Sequence, residues 1–190
     1  MEINTSNTSR EKILWMALIP QFILLIISMV WICILPKDNV SVYLKFDLKA
    51  LGEGVLTGIG LATAGYGFYK LSQKVKSLSD IAELFEKVLA PMFTNLKITD
   101  AIALSLVSGF SEEVFFRGLL LPKLGIILSS ISFGLLHMPG KKFWIYTLWA
   151  TLSGALFGWL FLLSHSLWLP ISAHAVNNII GMILLTRLKK

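Results

Sequence analysis

Charge is scarce in this chain. Of 190 residues only 15% are Asp, Glu, Lys or Arg, whereas 55% are hydrophobic and the mean hydropathy is +0.74. A soluble domain carries about a quarter charged residues, so the composition excludes an ordinary soluble fold and points to an integral membrane protein. Cysteine is scarcer still. The single Cys33 can form no internal disulfide, and its place in the first apolar run makes it lipid-facing or a packing residue. No His-Glu-x-x-His helix is present, no Ser-centred elbow surrounds Ser108 or Ser111, and no strand-plus-lysine context turns the glycine runs into a nucleotide loop. The net charge of +6 does not mark a nucleic-acid partner. The basic residues flank apolar runs instead of forming a stripe, as in a juxtamembrane collar.

What is present is a series of runs long enough to cross a bilayer, which takes about 20 residues at 1.5 Å each. The expected spans are Ile13–Leu35, Leu51–Leu71, Thr99–Leu121, the short Leu124–Met138 ending at Pro139-Gly140, Phe143–Leu163 and Leu167–Leu185. The first is too long for a signal-peptide core and has no small-residue cleavage site after it, so a retained helix is expected. Six spans put twelve Lys and Arg on the side of the termini and four (Lys37, Lys45, Lys49, Lys123) on the other, which predicts cytoplasmic termini and a multi-pass protein of the cell membrane. The sequons at Asn4 and Asn7 would then be cytosolic, within a disordered polar tail. Between spans two and three, Ile81, Leu84, Phe85, Val88 and Leu89 recur at helical spacing, an interfacial amphipathic helix with Asp80 as a candidate cap and Glu83 three residues on. Gly54, Gly58 and Ala62, and Gly154 with Gly158, are spaced for close helix packing. The expected fold is therefore all-α: about six transmembrane helices plus one amphipathic helix. Its stretches are a polar tail (1–12), two helices and the connector (13–97), a polar-site core (98–187) and a basic end (188–190).

Polar groups inside the apolar runs carry the chemistry. Glu112 and Glu113 lie in the third span, where a charge at mid-bilayer depth costs ~2.5–3.5 kcal/mol. Successive helix positions are about 100° apart, so the two carboxylates diverge. Glu113 and Arg117 are four apart and can pair, leaving Glu112 aimed elsewhere. Phe133 and His137 share one face of the fourth span, and His174 and Asn178 share one face of the sixth. A carboxylate can take a proton from water, an imidazole can hold that water, and a second imidazole with an amide can stabilise an oxyanion. Such a set suffices for amide hydrolysis with no covalent intermediate. The same residues admit other readings: a buried ion-pair network that fixes packing, a Glu/His proton relay of a transporter, or a non-catalytic immunity or binding protein. Two His and a Glu also have the chemistry of a zinc site, which the spacing neither supports nor excludes.

The patterns Glu112-Glu113-x-x-x-Arg117, Phe133-x-x-x-His137 and His174-x-x-x-Asn178, with the run Ser166–His174 leading into the last, resemble the three ordered motifs of the CAAX-protease and bacteriocin-processing (Abi) family of intramembrane proteases, which includes the type II CAAX prenyl endopeptidases. The resemblance covers roughly residues 98–185. It implies a helical membrane peptidase with its site in a cavity open towards the cytoplasm. By it, Glu112 and His137 activate water, His174 and Asn178 stabilise the oxyanion, and Glu113, Arg117 and Phe133 support them. No cofactor is expected on the glutamate-dependent mechanism, zinc being the alternative. A short chain with so little outside its spans is expected to be bacterial or archaeal. Its partner would be a membrane-associated peptide or protein substrate, named no more narrowly.

Overall fold

The computed structural model describes residues 9–35 and 40–188. The sequons at Asn4 and Asn7, and Lys37, Lys189 and Lys190 of the charge count, lie outside the described residues. Every regular element among the described residues is helical. Helix α1 runs Arg10–Ile34 and α2 runs Leu48–Ser72, each opened by a side-chain cap: Ser9 accepts from the Lys12 backbone N–H, and Asp47 from that of Ala50. The connector helix α3 covers 79–93, with a wider turn over Leu84–Leu89 at its middle. Helix α4 runs Ile98–Glu113 and widens through Val114–Leu120 into α5, Leu121–Leu136. Helices α6 (Trp144–Ser164) and α7 (Trp168–Arg187) complete the bundle.

Four stretches are long and apolar enough to cross a membrane: Arg10–Ile34, Ile98–Leu136, Lys141–Ser164 and Trp168–Arg187. The protein is an all-α membrane protein. Two expected spans look different in the structure. Helix α2 has the length, at 25 residues, but its six glycines and Glu53 keep it outside that apolar set. Expected spans three and four form one run of 39 residues, about 58 Å if straight and nearly twice a bilayer core. The run is not straight. Gly125, at φ 73° and ψ 173°, breaks it, and the Ser129 hydroxyl donates to the carbonyl of Phe116 at 3.1 Å. Thirteen residues of straight helix would hold those two about 20 Å apart. So α4 and α5 are two arms of a hairpin, and a residue without a Cβ supplies the left-handed backbone at the bend.

The ends of the bundle sort accordingly. At one end Ile13, Leu96 and Leu104 pack with Leu14, Ala17, Leu18, Phe93 and Met182, and Arg10 clamps Asp100 with two hydrogen bonds. At the other, Val40, Val114, Leu119, Leu121, Phe161, Leu167 and Ile171 form the larger apolar cluster. The start of α1 and the end of α7 thus lie at the same end. The expected small-residue stripes sit at helix crossings. A Cβ on Gly54 would run into Ser172 and Leu169, and one on Gly58 into Ala173 and Val176, so α2 meets α7 almost backbone to backbone. A Cβ on Gly154 would press on Phe133 at 3.1 Å, and one on Gly158 on Leu121 at 3.0 Å.

The connector is amphipathic as expected, with Ile81 and Leu84 buried, but its expected cap is not formed. Asp80 lies inside the first turn, and the cap position falls on Leu78, because Lys76–Leu78 already coils as a tight turn ahead of it. The acidic side chains reach outwards instead. Glu83 binds Lys142 at 2.7 Å and Asp80 approaches it at 3.9 Å, tying α3 to the loop before α6. The Lys142 ammonium holds the Glu83 carboxyl below its ordinary value. Cys33 is exposed on α1, on the apolar outer face.

Candidate active site

Glu112, Glu113 and Arg117 are all buried, with 6%, 0% and 1% of their surface exposed. The i, i+4 spacing brings Arg117 Nη1 to Glu113 Oε1 at 2.9 Å. Its Nη2 donates to the Gly154 carbonyl at 2.8 Å, and the guanidinium lies 4.5 Å from the centre of the Phe133 ring. The same Glu113 oxygen accepts from His174 Nδ1 at 2.7 Å, although 61 positions separate the two. Glu113 thus links the charge of Arg117 to the imidazole of α7. The ring of His174 stacks on Phe157, centroids 5.2 Å apart and 14° from parallel.

Glu112 points the other way. Its Oε1 accepts from Gln21 Nε2 of α1 at 2.9 Å. Its Oε2 has no hydrogen-bond partner among the described residues and lies 3.4 Å from His137 Nε2 and 3.9 Å from His174 Nε2. The hydrogen placement follows from the partners. His137 Nδ1 lies 2.8 Å from the carbonyl of Phe133, which can only accept, so Nδ1 carries the hydrogen. His174 Nδ1 faces a carboxylate and donates for the same reason. When a ring is neutral its Nε2 is an acceptor, and both Nε2 atoms converge on the same carboxylate oxygen, Glu112 Oε2. Three acceptors around one point suit a small proton donor such as water.

Asn178 lies one turn beyond His174. Its Nδ2 donates to Ser108 Oγ at 3.3 Å, and its Oδ1 accepts from Asn177 at 3.2 Å. Glu112, His137, His174, Asn178 and Phe133 all line one cavity of about 640 Å³, which reaches to Phe93 of the connector and Arg187 at the end of α7. Glu113 and Arg117 stand behind its wall. The four residues named as catalytic therefore face a common space, and the supporting pair lies outside it.

Residues 94–180 match the family described as Type II CAAX prenyl endopeptidase Rce1-like, and this stretch contains all three motifs. The match spans just under half of the chain, and over that stretch the chain is similar to this family. The chain is also similar to YpbD of Bacillus subtilis (strain 168), at 29% identity over 85 residues. That alignment covers 45% of this chain and 45% of YpbD, so each protein has more than half its length outside the shared part. No solved structure matches the chain.

Sequence reasoning passed over Gln21, Tyr146 and Ser153. All three line the cavity together with Glu112, His137, His174 and Asn178. Gln21 left a signal: it is an amide in the middle of a 25-residue apolar helix, and an amide there costs energy without a partner. Ser153 and Tyr146 left none, since both types are common in membrane helices. Among the described residues, no group of three or more His, Cys, Asp or Glu is arranged to hold a metal ion.

Proposed function

We propose that the protein is an intramembrane endopeptidase that cleaves a membrane-associated peptide or protein with glutamate-activated water. The observation that carries this reading is the convergence of Glu112 Oε2 with His137 Nε2 and His174 Nε2 on one cavity. A water there donates one hydrogen to Glu112 Oε2 and the other to His137 Nε2. Its oxygen attacks the scissile carbonyl carbon as Glu112 takes the proton. The carbonyl oxygen becomes an oxyanion. It accepts from the second N–H of Asn178 and, with His174 entering the cycle already protonated, from the Nε2–H of that ring, whose Nδ1–H stays on the Glu113 carboxylate. Glu112 then returns its proton to the leaving amine as the C–N bond breaks.

No metal enters this scheme. The three groups have the chemistry of zinc ligands, and chelation decides between the two mechanisms. The sidedness follows the Lys and Arg bias: both termini lie in the cytoplasm, and the cavity is reached from the connector side of the cell membrane. The test is cleavage of internally quenched apolar peptides by detergent-purified protein. Glu112→Gln keeps the shape and removes the base, and a loss of at least about 100-fold is expected. Parental rates in this variant would remove Glu112 from the chemistry. The parent's rate survives chelator, whereas full loss with zinc rescue would replace the mechanism by a metal-dependent one.

A further inference from the structure

Gln21 does not belong to the stretch that matches the family, since it precedes residue 94 by 73 positions in the sequence. It nevertheless hydrogen-bonds the Glu112 carboxylate directly, the one side-chain donor to it among the described residues. Its Nε2 donates to Glu112 Oε1 at 2.9 Å, and its own Oε1 accepts from the Ser111 hydroxyl at 2.5 Å. One amide thus bridges two consecutive residues of α4, and its orientation is dictated at the Glu112 end. An ionised carboxylate accepts only, so the nitrogen must face Glu112 and the oxygen must face Ser111.

The bond has a consequence for the proposed chemistry. Of the two oxygens of Glu112, Oε1 is occupied by a fixed donor. Oε2, buried and with no hydrogen-bond partner among the described residues, is the one turned to both histidines. We infer that Gln21 is a positioning residue for hydrolysis, holding Glu112 so that Oε2 alone takes and returns the proton. This inference rests on the peptidase reading above. It also makes α1 part of the working site. The register of α1 is held independently, by Arg10 on Asp100 and by Ile13 packed with Leu96 and Leu104. Loss of the Gln21 amide therefore leaves the helix docked.

The test uses the full chain in detergent with a quenched peptide that the parent cleaves. Gln21→Leu keeps the volume and removes both hydrogen bonds. The expected result is a kcat lower by about tenfold to 100-fold, the range for a displaced general base, with KM within about twofold and an unchanged melting temperature. A parental kcat overturns the inference, and so does a raised KM with kcat intact, which would make Gln21 a substrate contact. If Gln21→Leu does not fold, Ser111→Ala releases the far end of the amide without touching α1. The expected loss in kcat is then smaller but measurable, and a parental kcat again overturns the inference. Glu112→Gln separates the two levels. If that variant is inactive while Gln21→Leu is parental, only the role of Gln21 fails. If Glu112→Gln is fully active, the peptidase reading beneath it fails.

Discussion

Removing the charge of Arg117 tests the frame behind the cavity. Arg117→Met keeps a long apolar stem and deletes the guanidinium. Glu113 then stays fully buried as an anion, with His174 as its one remaining partner of those described above, and the Gly154 carbonyl loses the hydrogen bond from the guanidinium. Breaking a buried ion pair by deleting one partner costs about 3–5 kcal/mol, because the other charge is left uncompensated. At about 2–4 °C per kcal/mol for a chain of this size, the melting temperature in detergent falls by roughly 6–20 °C. The double variant Glu113→Gln with Arg117→Met removes both charges. It regains most of that stability, since a neutral replacement of a buried pair is often nearly free of cost. Its activity does not return, because His174 has lost the carboxylate that sets its tautomer. The assay is a thermal melt of the parent, the single and the double variant, with peptide cleavage alongside. A single variant within about 2 °C of the parent would show that the pair is not under strain from burial. A double variant that melts below the single would refute the argument from uncompensated charge.

Two further outcomes are expected. The Glu83 carboxyl is depressed in the folded protein by Lys142, so its contribution to docking α3 is complete above the ordinary glutamate range and is lost as pH falls through the depressed value. Amide exchange over 79–93, corrected for intrinsic rates, accelerates on acidification in the parent, and Lys142→Gln abolishes that pH dependence. An equal acid response in both proteins would place its origin elsewhere. For sidedness, with Cys33 replaced, a cysteine at Ser41 is labelled by an impermeant reagent from outside intact cells and one at Ser9 is not. Equal labelling contradicts the orientation.

Much of the architecture was legible because it is local. Apolar runs and the four-residue spacing of Glu113 and Arg117 are governed by helix geometry, and the observed helices start and end within a few residues of the expected spans. What escaped reading is non-local. Nothing in the order of residues says that Glu113 meets His174, or that Gln21 meets Glu112 across 91 positions. The cap assigned to Asp80 failed for a related reason: a tight turn upstream shifted the helix start, and Lys142, distant in sequence, competed for the carboxylate. Residues 133 and 137 share a face as their spacing requires, yet only the fold shows that the Phe133 carbonyl, and not its ring, selects the tautomer of His137.

The bend at Gly125 makes the gap between Glu112 and His137 an internal dimension of one calliper, whose jaws are α4 and α5. The tip of such an instrument can vary in length with little effect on the jaws. A single residue inserted between Ser129 and His137 is another matter, since it turns the imidazole by about 100° and slides it about 1.5 Å along its arm. Relatives of this chain should therefore differ freely at the tip and keep strict phase along both arms.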